Sequence, residues 1–227
     1  MWQALYEELA PAGLEIVTVA LDTNVESARA PAEAAHATHP SLVDPEFRIV
    51  ELFGITNVPF GMWIDERGII VRPPESAPVP PPPDAPDRSA FLESLPEEQR
   101  RIIVGMTANA GDPTRYFAAV RDWVANGEAS RFVLTPDEVV ARSRPLPDAA
   151  ARAAAHYELG QHLHLTGFGQ DAVAHFQRAH ELDPTNWSYQ RQARALADPA
   201  WGTAYERDLF TEVGRVGPET WRPPLDL

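Results

Sequence analysis

The chain has 227 residues, with 33 acids against 19 bases and a formal charge of −14, so it can bury a core and repels a phosphate backbone or an anionic membrane as main partner. It contains no cysteine, which excludes disulfides, a thiolate nucleophile and cysteine-type zinc ligation. No apolar run approaches the roughly 20 residues that span a bilayer, and acids stand near the N-terminus where a secretory signal carries bases; a cytoplasmic protein is expected, conditional on Met1 being the natural start.

Apolar positions Trp2, Leu5, Tyr6 and Leu9 predict a short amphipathic helix stopped by Pro11 and Gly13. Residues 15–21 then read as a strand rich in β-branched side chains, apolar on both faces, as in a layered α/β sheet. An alanine-rich helix is expected over 27–38, broken at His39-Pro40-Ser41, with a very short strand or extended connector at 42–44. Asp44 followed by Pro45 predicts a helix start for 46–53, with Phe47, Val50, Leu52 and Phe53 as its apolar stripe and Gly54 as its stop. The stretch 60–71 reads as a hairpin: strand 60–64, a turn at Asp65-Glu66-Arg67-Gly68, and strand 69–71. Pro59 sits at the strand start, where its missing N–H costs least and where tertiary contacts can hold a cis bond.

This order, with Val17-Thr18-Val19-Ala20-Leu21-Asp22, Pro40 to Asp44, Leu52-Phe53-Gly54-Ile55, Val58-Pro59 and Trp63-Ile64-Asp65-Glu66 before Gly68, resembles the later part of a thioredoxin-like domain of the peroxiredoxin and thiol-disulfide oxidoreductase type. The resemblance covers residues 2–72. It implies that Pro59 matches the cis-proline that faces the family's active-site disulfide. The Cys-x-x-Cys segment and the strand that carries it have no counterpart here. In the family that strand lies between the strands matched by residues 16–21 and 60–64. Three arrangements follow: the flanking strands close up, another chain fills the gap, or the natural protein begins upstream of Met1 with the cysteine-bearing segment. Dithiol exchange needs a thiolate and is excluded for the sequence given. Asp22, Asp44, Asp65 and Glu66 stand at strand ends and turns, where carboxylates act as caps. No base, nucleophile and orienting group recur at a recognisable spacing.

Prolines at 73, 74, 78 and 80–83 predict a spacer without helix or central strand, placed at 75–90 between a partial domain at 1–74 and a helical domain at 91–227. Helices are expected over 96–106, over 115–126 with Gly127 as stop, and over 136–141 with Val139 and Val140 inward. The sharper pattern lies at 153–186. Helix, Gly-containing turn and helix, with Leu159-Gly160, Ala172, Phe176, Ala179 and Pro184, resemble one tetratricopeptide repeat, although His156 and Leu163 stand where the family commonly has aromatics. Gly160 and Ala172 are expected to allow a close helix crossing, with Leu159 and Phe176 in the seam. A lone repeat needs caps: the helix at 187–196 on one side and the helices between 96 and 141 on the other. A further helix is expected over 199–213, with Trp221 and Leu225 pinning the tail.

Five histidines lie between 156 and 180. His162 and His164 project about 200° apart on a helix, and no i,i+4 zinc pair is formed, so neither a metal nor a cofactor is expected. In the tetratricopeptide family a concave surface binds peptides, which makes Tyr189, Gln190, Arg191 and Arg194 the candidate peptide-binding face. The sequence therefore reads as a cysteine-free α/β thioredoxin-like remnant followed by an all-α tetratricopeptide-like domain, acting as a non-catalytic scaffold or interaction module with a protein or peptide partner. The alternative is a thiol-disulfide oxidoreductase or peroxiredoxin-like enzyme whose catalytic segment lies upstream.

Overall fold

The computed structural model describes residues 2–22, 24–81, 85, 87–143, 147–197, 211–222 and 225–227. The architecture is mixed, with two small sheets and a larger complement of helices. In the first part the order is α1 (Trp2–Leu9), β1 (Thr18–Ala20), α2 (Val25–Ala34), β2 (Ser41–Val43), α3 (Arg48–Phe53), β3 (Phe60–Ile64) and β4 (Ile70–Ser76). The second part holds α4 (Ser89–Ser94), α5 (Glu97–Ala108), α6 (Pro113–Asn126), α7 (Pro136–Arg142), α8 (Asp148–Leu165), α9 (Gly169–Leu182) and α10 (Trp187–Ala197). Residues 211–216 are helical; the rest of the helix expected at 199–213 lies outside the described residues.

Local chemistry explains most boundaries. Asn24 caps α2 by accepting from the N–H groups of Glu26 and Ser27, Asp112 caps α6 with Pro113 at its first position, and Thr135 and Glu138 form a reciprocal capping box on α7. The helix after Asp44 starts later than the sequence predicts. Phe47 takes a left-handed conformation (φ 59°) and α3 begins at Arg48, while Asp44 Oδ2 accepts from the Ile49 N–H at 2.9 Å. The compensation is burial: Phe47 is 1% exposed and meets Tyr157 edge-on, which offsets a left-handed cost of about 1–2 kcal/mol. The expected apolar stripe is correspondingly narrower, since Val50 is buried but Leu52 is 74% exposed.

β1 and β2 pair in parallel, Thr18 with Ser41 and Ala20 with Val43; β3 and β4 pair antiparallel. β4 runs on to Ser76, through prolines assigned from sequence to the break beyond the hairpin. The reason is a bulge. Gly61 pairs with Glu75 and Trp63 with Arg72, so Pro73 and Pro74 occupy the extra length on β4, where no ladder N–H is required. Ser76, Ala77 and Pro78, placed from sequence at the start of the spacer, are buried.

Among the described residues, two of three buried clusters join the first part of the chain to the second. Leu5, Leu9, Trp63 and Val71 pack with Tyr116, Phe117 and Val120 of α6. Phe47 and Val50 of α3 pack with Tyr157, Phe176 and Tyr189. The α8–α9 hairpin is thus covered by α3 and α10, and the helices between 96 and 141, expected from sequence to cap it, lie elsewhere: α6 covers the β3–β4 hairpin and α1. A third cluster unites Ile102, Trp187 and Val213, with Trp221 tilted against Trp187 at 5.0 Å.

The α8–α9 seam closes at Gly160. A Cβ there would stand 2.6 Å from the Phe176 ring, and Ala172 is 1% exposed. Leu159, assigned to the seam from sequence, is 42% exposed; Tyr157, fully buried, takes that place and stacks on Tyr189 at 4.1 Å. Val140, expected inward on α7, is 69% exposed.

Candidate functional site

The two sheets present unequal edges. Thr18 N–H donates to Pro40 O (3.0 Å) and Asp44 N–H to Ala20 O (2.8 Å), so the backbone groups of Thr18 and Ala20 face β2. By strand alternation those of Val17, Val19 and Leu21 face the other way, and among the described residues no strand pairs with that side of β1. β3 behaves alike. Pro59 O accepts from Ala77 N–H (3.1 Å) and Asp65 N–H donates to Ile69 O (2.9 Å), which leaves Phe60 and Met62 with their N–H and C=O turned from β4. The outer edge of β4, by contrast, receives Leu134 N–H on Val71 O at 3.1 Å. Apolar side chains beside the open strands remain exposed: Val17 51%, Leu42 55%, Val58 38% and Ile64 45%. The Val58–Pro59 peptide bond is cis and leads directly into β3. Next to it Asn57, fully buried, donates to Trp221 O at 2.7 Å and accepts from Val58 N–H.

The face named from the tetratricopeptide resemblance divides. Tyr189 is 5% exposed and stacked on Tyr157; Gln190 is 4% exposed and donates to Pro184 O at 2.8 Å. Tyr189 lies inside the α8–α9–α10 packing, where stacking on Tyr157 buries its ring, and Gln190 is buried against the loop that joins α9 to α10. Arg191 is exposed and Arg194 half-buried.

Two groups escaped the sequence reading. His156 and His175 meet across the hairpin, ring against ring, with their Nδ1 atoms 2.9 Å apart. One nitrogen must donate and the other accept, so at most one ring is protonated while the contact holds. Desolvation and then the charges of His175, Arg178 and Arg152 hold His156 below the usual histidine range. His180 approaches Glu212 instead, Nε2 to Oε2 at 3.1 Å. Among the described residues no three histidines, aspartates or glutamates converge as a metal site. The second group is Glu51 on α3. Burial, then the Glu158 carboxyl hydrogen-bonded to it and the Asp44 charge, push its carboxyl up to about 8. Only the fold brings these three acids together, since the interval from α3 to α8 carries no periodic signal. Asp65 serves its turn: it accepts from Ile69 N–H and pairs with Arg67, which holds its carboxyl below the usual range.

Among the described residues no helix is long and apolar enough to cross a membrane. Comparison with protein-family models, with curated proteins and with solved structures finds no match to this chain.

Proposed function

We propose that the chain is a non-catalytic protein-interaction module, a cysteine-free thioredoxin-like unit joined to a tetratricopeptide-like hairpin, which receives an extended segment of a partner protein on its open strand edges. The observation that carries the reading is the pair of edges on β1 and β3 to which no strand pairs among the described residues, flanked by exposed Val17, Leu42 and Ile64. Rows of free backbone donors and acceptors beside apolar side chains are what strand addition uses. Nucleic acid and membrane are not its partners in this reading, on the strength of the −14 charge, and its compartment is the cytoplasm. It needs no cofactor.

A second reading is kept because the same edges also fit a strand from the same polypeptide: a thiol-disulfide oxidoreductase whose cysteine-bearing strand is encoded upstream. The parallel β1–β2 pair and the antiparallel β3–β4 hairpin, in that order, support it. Two experiments separate the readings. The purified chain is expected to give no turnover in an insulin-reduction assay, and thiol-dependent turnover would overturn the non-catalytic reading. In-frame codons before Met1 that specify a β-strand followed by Cys-x-x-Cys would replace the first reading with the second.

A further inference from the structure

A cavity of 440 Å³ opens between α6, α7 and the loop that follows α6, and arginines dominate its walls. Arg72, only 2% exposed, reaches it after forming a bidentate pair with Glu75 (2.6 and 2.8 Å) and donating to Phe132 O at 2.8 Å. The second N–H of its Nη2 goes to Asp226 O at 2.8 Å. Arg142 on α7 pairs with the Asp226 carboxylate at 2.8 Å, and Arg115 on α6 donates to Leu227 O. Leu225 and Leu227 pack against the Trp63–Tyr116 cluster, and Leu225 Cδ2 comes so close to Gly111 that a Cβ there would stand 2.7 Å away. Three consecutive residues are therefore read by side-chain packing, main-chain carbonyls and one carboxylate. That is how an extended peptide is bound.

The site has capacity beyond the segment it holds. Arg131 lies over the Phe132 ring at 4.6 Å, and among the described residues no carboxylate side chain pairs with Arg131 or with Arg115. Glu138, also in the wall, is engaged by Thr135 in the capping box of α7. The volume falls within the range of binding pockets, about 300–1,000 Å³. In a protein of charge −14, a concentration of four arginines around one cavity is a selective feature.

We propose that this arginine-lined cleft, whose open volume is walled on one side by Asp226 and Leu227, is a recognition site for an acidic peptide of the Leu-Asp-Leu type on a partner protein, and that residues 225–227 engage its arginines in cis. The site is separate from the strand edges and does not depend on them. A tethered segment competes at an effective concentration in the millimolar range, so the cis occupant masks the site until it is weakened.

The test uses a fluorescein-labelled, C-terminally amidated Pro-Pro-Leu-Asp-Leu peptide and full-length protein, read by fluorescence anisotropy. Weakening the cis segment with Leu225→Ser and Asp226→Asn together is expected to tighten binding at least tenfold over the unaltered chain. An Asn-for-Asp peptide should bind at least tenfold more weakly than the original. Adding Arg142→Glu should invert the preference toward a Leu-Arg-Leu peptide. On the unaltered chain, millimolar peptide should accelerate amide exchange at 225–227. A doubly substituted protein that melts as the parent does but binds no peptide, or equal affinity for the Asp and Asn peptides, overturns the proposal. So does unchanged exchange at 225–227 under millimolar peptide.

Discussion

The two sheets contain two strands each and differ in almost everything else. β3–β4 is covered by α6: Trp63 is 4% exposed, its indole N–H donates to the Tyr116 hydroxyl at 3.1 Å, and it stacks on Trp123 at 5.0 Å. Arg72 beneath it is tied at both ends and lies 5.4 Å from the Trp63 ring centroid. No residue of β1 or β2 is buried, and Leu42 is more than half exposed. A two-stranded ribbon is marginal by itself. Among the described residues each pair keeps an open strand edge, but β3–β4 is packed under α6, whereas β1–β2 has no buried strand residue.

The largest expected effect tests the covered sheet. Trp63→Ala should cost about 3–5 kcal/mol in denaturant unfolding, because it removes a buried indole with two aromatic neighbours. Arg72→Ala belongs to the same range, about 3–5 kcal/mol, since Glu75 would be left largely buried without its partner. Gly61→Ala should cost about 1–3 kcal/mol, as the new Cβ would lie 2.4 Å from the Tyr116 hydroxyl oxygen.

A smaller effect concerns the α3–α8 contact, where the first part of the chain meets the hairpin. Glu51 has its folded carboxyl value raised to about 8, above the ordinary 4.5, so the folded state holds the proton more tightly. The stability this lends is fully present below about pH 4.5 and is lost as pH rises toward 8, the opposite sign to a salt-bridged carboxylate. After allowance for solvent screening the loss is about 1–2 kcal/mol. Glu51→Gln should flatten the stability profile between pH 5 and pH 8; an unchanged slope would remove Glu51 as its source. The smallest effect is at the exposed sheet: Leu42→Ala should change stability by less than about 0.5 kcal/mol. A loss comparable to that of Trp63→Ala would erase the contrast between the sheets.

Legibility in the sequence followed how local the physics was. Caps, stops and periodic faces placed α1, β3, α6 and the α8–α9 hairpin within a residue or two, because Gly54, Asp112, Gly127 and Gly160 act through neighbours in the chain or across one turn. What was not legible came from distant partners. Phe47 was drawn out of helix by Tyr157, the double proline was absorbed in a bulge whose partner strand lies across the hairpin, and Tyr189 was taken inward by Tyr157. The pairing of α3 with the hairpin, and with it the Glu51 environment, depends on contacts more than a hundred residues apart. The tail was readable in part: Trp221 and Leu225 do anchor it, whereas the two arginines that hold Asp226, Arg72 and Arg142, come from β4 and α7.

The central claim is that β1 keeps an unpaired edge, and residue-resolved amide hydrogen exchange of the isolated chain tests it most directly. Thr18, whose N–H is bonded to Pro40 O, should be protected, while Val19, one residue on and facing away from β2, should exchange many times faster. Val19 protected as strongly as Thr18 would mean that a strand already covers that edge, and would contradict the account.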